Sequence, residues 1–347
     1  MQAVVVTEPN VFSVETVAEP ESGPYEVKCR VRAVTICGTD AHLLRGDYPG
    51  FWPPGYPFIP GHEWAGEIVE LGPGSELLGW KVGDRVAGTS HDACGYCQKC
   101  VEGRYNLCEN YGVAGLHHQY GHNYQGAFAE FVVHGAKSVF PLPASLSFDE
   151  GALLDPASIA LHTANRGGSR PGDTVVVFGP GPVGLLAADC ARVRGAGRVI
   201  VVGRGSRLAK AAQMGSDVID YPSEDPVTAI REATGGLGAD VVLECAGVPQ
   251  SIQWSLEVLR KGGRVAVVGI PVEDVKLSLQ DLVLYEYELA GSRASAGEML
   301  HVTPLVEGGR IRVGELITHH FPLADFAEAV DTFNERRDGA LKVILQP

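Results

Sequence analysis

The stretch TVVVFGPGPVGLLAADCARVRG (174–195) decides the fold. A continuous β-prone run, Thr174 to Phe178, enters Gly179-Pro180-Gly181-Pro182-Val183-Gly184 and leaves as an apolar helical pattern. A strand, G-x-G-x-x-G and a helix in that order form a phosphate cradle. The glycines permit the tight turn and let a pyrophosphate approach the helix N-terminus, where unpaired N–H groups and the helix dipole favour an anion. Alone, those six residues are a Gly-rich turn; their flanks make them a dinucleotide loop. The texture then repeats through RVIVVG (198–203), a helix around RLAKAAQMG, DVIDY (217–221), a helix around PVTAIREATG, DVVLECAG (240–247), a helix around SIQWSLEVLRKG, and RVAVVGI (264–270). Val/Ile runs alternating with helices predict a parallel sheet covered on both faces. Residues 155–290 therefore read as a Rossmann, doubly wound cofactor domain.

The second strand bears on the choice of dinucleotide. NAD-specific folds end it with Asp or Glu, which binds the ribose hydroxyls. Here it ends at Gly203, followed by Arg204-Gly205-Ser206-Arg207. Without the carboxylate a 2′-phosphate meets no repulsion. Arg204 offers a guanidinium fork and Ser206 a hydroxyl donor. Arg207 either assists or is a solvated residue of the first helical turn. The pattern favours NADP(H) over NAD(H).

Upstream the texture changes. VKCRVRAVTI (27–36), AGEIVELG (65–72), DRVAG (84–88) and AFAEFVVH (127–134) are short β-like runs broken by Gly and Pro. They predict a β-rich barrel or sandwich over residues 1–154. From 291 the chain shows a helix (EMLHVTPLVEGG), a strand (LITHHFPL), a helix (FAEAVDTFNER) and a last strand (LKVILQP). That tail is too short to stand alone and is expected to complete the first domain through 347. A chain of 347 residues exceeds what one hydrophobic core usually supports, so the fold class is α/β with two domains.

Inside the first domain lies CGYCQKCVEGRYNLC (94–108), with Cys94, Cys97, Cys100 and Cys108 spaced C-x2-C-x2-C-x7-C. Four thiolates this close converge on one cation, most often Zn²⁺. Two disulfides would need an oxidising compartment, and the start MQAVVVTEPN lacks the n- and h-regions of an export signal. An iron–sulfur run usually carries Pro after its last Cys, where Glu109 stands. Four unrelated thiols are the plain alternative. A closed four-thiolate site braces a loop and does no chemistry. The net charge of −14 disfavours nucleic acid or anionic lipid as partner. No apolar run approaches the ~18–20 residues of a membrane span. A cytoplasmic protein with reduced thiols is expected, with Cys29, Cys190 and Cys245 as core fillers.

Three further fragments carry chemistry: Cys37-Gly38-Thr39-Asp40-Ala41-His42, Gly61-His62-Glu63 and Leu154-Asp155-Pro156. Singly they are unremarkable. In this order, around the four-Cys loop and before the dinucleotide loop, and with KVIL near the C-terminus, they resemble the zinc-dependent medium-chain dehydrogenase/reductase family of the alcohol dehydrogenase superfamily. The resemblance covers essentially the whole chain and is strongest to the polyol (sorbitol-like) and threonine dehydrogenase branch. It implies a GroES-like catalytic domain before the Rossmann domain, one catalytic and one structural zinc, and hydride transfer between a secondary alcohol and nicotinamide. The substrate would be a polyol, a sugar-derived cyclitol or a hydroxy-amino acid. By resemblance Cys37 and His62 are catalytic-zinc ligands, and Glu63 ligates the metal directly or stands just outside. Asp155 is the acidic third position. Polyol enzymes usually have Glu there, so Asp leans toward the threonine branch, and its shorter side chain suits a water-bridged contact. Thr39 would hydrogen-bond the substrate oxygen, and His42 would relay the proton through the cofactor ribose. The plain alternative for these two is a turn cap and a surface imidazole.

The pocket is less well marked. Tyr48, Phe51 and Trp52, in GDYPGFWPPGYPF (46–58), either wall the substrate or pack their own loop. His118, in LHHQYGH (116–122), is expected to face the substrate rather than join another metal site. Arg293 in GSRAS matches a substrate-side Arg of polyol dehydrogenases. The family forms homodimers and homotetramers, and VKLSLQDLVLYEYELAG (275–291) could supply the joining edge. The other readings are an NAD-using L-threonine 3-dehydrogenase-type enzyme, a zinc-free enone or quinone reductase, and a non-catalytic NADP(H)-binding structural or sensor protein. Retention of Cys37, His62, Glu63 and Asp155 argues against the last two.

Overall fold

Strand Thr174–Phe178, buried from Val175 onward, lies inside a six-stranded sheet whose every pairing is parallel. The structure, a computed structural model, describes residues 1–221 and 223–347. In spatial order the strands are Asp217–Asp220, Arg198–Gly203, Thr174–Phe178, Ala239–Glu244, Leu259–Val267 and Glu288–Gly291. Numbered along the chain this is 3-2-1-4-5-6, the doubly wound order. The chain reverses direction across the sheet between the first and fourth strands, opening a crevice at their C-terminal ends. The Gly-rich loop leaves the first strand at that point. Helix Pro182–Val193 follows, with Gly181 as N-cap and Pro182 in the first turn, where its missing N–H costs nothing. Val176, Phe178, Ile200, Val202, Val242 and Val265 form the sheet's share of the core, and Ile230 and Leu256 come from two of the helices.

The other sheet has seven strands. Its path is Ile317–Pro322, Lys342–Gln346, Glu26–Thr35, Glu63–Leu71, Arg85–Gly88 and Val139–Pro141, with Phe131–Gly135 also paired to Glu26–Thr35. The pairing is antiparallel except between Ile317–Pro322 and Lys342–Gln346. The register sets Glu63 opposite Thr35 and Ile344 opposite the same Thr35. Trp64, Phe128, Phe326 and Val343 fill the core beneath.

The chain divides into two units: Met1–Asp155 with Met299–Glu307 and Val313–Pro347, and Pro156–Glu298 with Gly308–Arg312. The tail thus returns at 299 rather than 291. Ser292 N–H donates to Val267 O and His162 bonds Glu298, which keeps 291–298 with the parallel sheet. Residues 308–312 stay there too, because Arg312 reaches the buried Asp189. One expected helix ends early. LRKG, read as the end of SIQWSLEVLRKG, instead starts strand Leu259–Val267, and Leu259 pairs with Ala239. Among the described residues no helix is long and apolar enough to cross a membrane.

One buried side chain in the first unit makes stability pH-dependent. His134 has no exposed surface, stacks on Tyr120 with centroids 3.6 Å apart, and accepts the Trp64 Nε1–H at 3.2 Å. Burial, assisted by the nearby His118, pushes its pKa from 6.5 down to about 3. The unfolded chain therefore takes a proton below pH 6.5 that the native protein refuses until about pH 3, and stability falls as pH drops through that window. Between pH 7 and 5 this one group should cost about 2 kcal/mol. Urea titrations at both pH values should show His134→Phe losing correspondingly less stability than wild type on acidification.

Candidate active site

Helix Gly38–Arg45 starts from Cys37, whose backbone N–H donates to Asp40 Oδ2 at 2.8 Å. Asp40 is fully buried, and its Oδ1 lies 3.4 Å from Nδ1 of the buried His62. That carboxylate turns the His62 ring so that Nε2 is left to bind elsewhere, the usual carboxylate support of a metal-ligating histidine. Ligand atoms of Cys37, His62 and Glu63 all lie within 4.8 Å of one another. Burial opposes charge on His62, yet Asp40 and Cys37 together raise its pKa well above the usual range. A pocket of anionic groups that draws a proton onto an imidazole fits a divalent cation in that proton's place. Asp40 had no role in the sequence reading. Its signal was the Cys37-x-x-Asp40 spacing of a capping box.

Glu63 is held from outside the triad. Its Oε2 accepts from Thr35 Oγ1 and from Lys342 Nζ, and both members of the ion pair are at most 2 % exposed. Burial would raise the Glu63 pKa, but the charges of Lys342 and His62 and the bonds from Lys342 and Thr35 together outweigh it, and the carboxylate is held below its usual range. Lys342 was likewise missed. It sits in KVIL, which reads as an ordinary closing strand. Asp155 does not join the triad. Its Oδ1 accepts from Thr89 at 3.1 Å, and its buried Oδ2 has no hydrogen-bond partner among the described residues. Burial raises its pKa to about 6, with His62 pulling it down and Glu63 pushing it up.

Thr39 and His42 ride the same helix. Thr39 Oγ1 is 3.9 Å from Cys37 Sγ, and the half-buried His42 meets Asp47 and Arg45. Trp52 is buried, packs on His122 at 4.9 Å and donates to Tyr111 Oη at 2.6 Å. Phe51 lies outside it, half exposed, and Tyr48 touches both Trp52 and His42. The histidine beside the triad is His122, 4.4 Å from the His62 ring. His118 instead stacks on Tyr124 at 4.0 Å and lines a shallow recess with Asp92, Cys94, Tyr96 and Lys137. His117 pairs with His91 at 3.2 Å, so the three histidines of LHHQYGH go to three different places. Arg293 is half buried in the second unit, just after strand Glu288–Gly291.

The four cysteines converge. Cys94–Cys100 and Cys97–Cys108 sulfurs are 3.8 and 4.0 Å apart, and all four lie within 4.8 Å. A tetrahedron of Zn–S bonds of about 2.3 Å has edges of about 3.8 Å, whereas a disulfide would bring the sulfurs to about 2.05 Å. Desolvation raises the Cys94 pKa, but N–H groups of Tyr96 and Cys97 pull it down to about 6, while burial pushes Cys100 up to about 12. A cation among them would let all four ionise.

At the dinucleotide loop, Gly181 makes no side-chain cap and leaves open space where a Cβ would stand, so the helix N-terminus is clear for an anion. Gly179, Pro182, Val183 and Gly184 surround it. A Cβ at Gly203 would lie 2.3 Å from the Pro180 ring, which explains why no acidic side chain occupies that strand end. The exposed Arg204 guanidinium sits over the Tyr221 ring at 5.5 Å, and Ser206 is exposed in the first turn of helix Gly205–Gln213 with Arg207 next to it.

Residues 23–144 match the family model of the alcohol dehydrogenase GroES-like domain, and residues 182–307 that of zinc-binding dehydrogenase. Sorbitol dehydrogenase of Halalkalibacterium halodurans is 35% identical over 356 residues, covering 100% of this chain and 99% of that protein. The chain belongs to the zinc-dependent medium-chain dehydrogenases. This dehydrogenase is also 34% identical over 333 residues to L-threonine 3-dehydrogenase of Enterobacter sp. strain 638, covering 95% of this chain and 94% of that one. A crystal structure of a zinc-binding dehydrogenase from Sinorhizobium meliloti 1021 bound to NADP superimposes with a TM-score of 0.90 at 32% identity, covering 100% and 99% of the two chains. The family is one of zinc-dependent alcohol and polyol oxidoreductases, so a nicotinamide cofactor and a small alcohol substrate follow.

The Glu63–Lys342 pair gives a direct check on this dehydrogenase. Removing one partner of a buried pair leaves an uncompensated charge, at a cost of about 3–5 kcal/mol. Lys342→Met should lower the urea-unfolding free energy by that order, and Glu63→Gln in the Lys342→Met background should restore part of it.

Proposed function

We propose that this chain is an NADP(H)-linked zinc dehydrogenase that interconverts the secondary alcohol of a polyol, cyclitol, sugar-derived or hydroxy-amino-acid substrate with its ketone. The observation that carries the reading is the convergence of Cys37, His62 and Glu63, with Thr39 and His42 on the helix that Cys37 begins. Cys37, His62 and Glu63 would hold a zinc ion, with Asp155 as the further acidic group beside them, and that ion would supply Lewis acidity toward the substrate oxygen while nicotinamide would supply the hydride acceptor. Thr39 Oγ1, next to Cys37 Sγ, hydrogen-bonds that oxygen. His42, 35% exposed, would take up the substrate's proton and pass it to solvent. Lys342 keeps Glu63 ionised without adding net negative charge beside the thiolate.

The four-Cys lobe holds a second, structural zinc. Gly203 and Arg204 favour a 2′-phosphate over a bare ribose, with Tyr221 backing the guanidinium. Phe51, Trp52 and Arg293 are assigned to substrate contacts, and His122 joins them in place of His118 because it packs on His62. Strand Glu288–Gly291 is a sheet edge, and Leu279, Val283 and Leu284 beside it are largely exposed, which supports a homodimer or homotetramer joined there. Eight free cysteines fit the reducing cytoplasm.

Metal analysis should find two zincs per chain, Cys37→Ser losing turnover and Cys94→Ser losing the other metal together with thermal stability. One zinc and no alcohol-dependent reduction of either cofactor would refute the assignment. Arg204→Ala should lower the NADP⁺ over NAD⁺ preference in kcat/KM by about tenfold, the value of one lost charge-assisted bond. A wild type that already prefers NAD⁺ would overturn the reading of Gly203-Arg204. A screen of sorbitol, other polyols, sugar ketones and L-threonine with both cofactors decides the substrate. Turnover of L-threonine with NAD⁺ would favour the threonine branch to which Asp155 points.

A further inference from the structure

The helix that carries His42 ends on Gly46, whose left-handed conformation (φ 72) folds the chain back so that Asp47 N–H bonds His42 O at 3.0 Å. The turn brings two opposite charges to one ring nitrogen. His42 Nδ1 lies 2.8 Å from Asp47 Oδ2 and 2.9 Å from Arg45 Nη2, while Arg45 Nε and Nη2 reach the same Asp47 Oδ2 at 3.0 and 2.8 Å. Among the described residues the other ring in contact is Tyr48, at 5.6 Å; Asp40, on the same helix, is turned toward Cys37 and His62. A carboxylate can only accept and a guanidinium can only donate, so Nδ1 cannot satisfy both. A proton on Nδ1 serves Asp47 and leaves Nε2 a lone pair. A bare Nδ1 serves Arg45 and puts the proton on Nε2, where it blocks uptake.

We propose that Asp47 and Arg45 form an opposed pair that sets the tautomer of His42, with Asp47 the positioning residue that holds Nδ1–H so that Nε2 exchanges the substrate's proton. The inference rests on the relay role assigned to His42 above. In alcohol oxidation the hydroxyl proton arrives at Nε2, the imidazolium is stabilised by Asp47, and the same Nε2 proton leaves to water at the exposed ring edge, restoring the starting tautomer. Reduction runs the same steps backward. Arg45 offsets the carboxylate, so that the ring can give the proton up again. Although partial desolvation opposes it, the bonds from Arg45 and His42 hold the Asp47 carboxyl below its usual range, so it stays ionised.

The test is ¹⁵N NMR of histidine-labelled, zinc-loaded protein, with the His42 signals assigned through His42→Gln. Wild type should show the Nδ1–H tautomer. Asp47→Asn should shift the equilibrium toward Nε2–H, Arg45→Gln should leave Nδ1–H in place, and Asp47→Glu should restore the wild-type signals. A wild-type Nε2–H tautomer, or a tautomer that Asp47→Asn leaves unchanged, would overturn the proposal. The relay itself is tested separately: unchanged kcat/KM in His42→Gln, for the alcohol with the highest turnover among sorbitol, 2,3-butanediol and L-threonine, would overturn that role whatever the tautomer.

Discussion

A carboxylate that is 1 % exposed must find a positive charge or remain protonated, and Glu63 finds Lys342, 279 residues further along the chain. The requirement organises the first unit. Lys342 can reach Glu63 only if the last strand enters the sheet beside Glu26–Thr35, and Thr35, opposite Glu63 in the register, supplies the other bond to the same oxygen. The catalytic unit is therefore closed by the end of the chain, and its candidate metal triad is braced from a strand that carries no ligand.

Around that pair the charges are graded. Cys37 and Asp40 face His62, which answers by drawing a proton, while Asp155 answers the same surroundings by resisting ionisation. The four-Cys lobe solves a similar problem differently. Amide N–H groups help Cys94 and Cys97 ionise, and a metal among the four sulfurs would settle the rest. One candidate site is four thiols on a single loop, whereas the other mixes thiol, imidazole and carboxylate, the contrast that separates closed structural zinc sites from open reactive ones.

How legible all this was in the sequence depends on range. The dinucleotide loop, the strand–helix alternation and the four-Cys spacing are local patterns, and local geometry carries them directly into the structure. Leu259 shows the limit. LEVLRKG looks helical on propensity, but pairing with Ala239 makes its second half a strand. His118 and His122 show it again: four residues apart, the first lies in the two-residue strand His118–Gln119 and the second in the turn beyond it, and each meets a different aromatic wall. A strand of two residues has no periodicity to read.

By itself the sequence determined the two-domain α/β architecture, the family, the ligand candidates and the absence of an acidic residue at the end of the second strand. These follow from patterns spanning a few tens of residues, each with its own steric or electrostatic reason. Only the tertiary structure decided that Lys342 neutralises Glu63, that Asp40 aims His62, that Pro180 fills the space at Gly203 and that Arg45 and Asp47 compete for His42. The first of these joins residues distant in sequence, and the rest turn on side-chain direction. Both depend on how strands register and turns close, which a linear string of residue types does not encode locally.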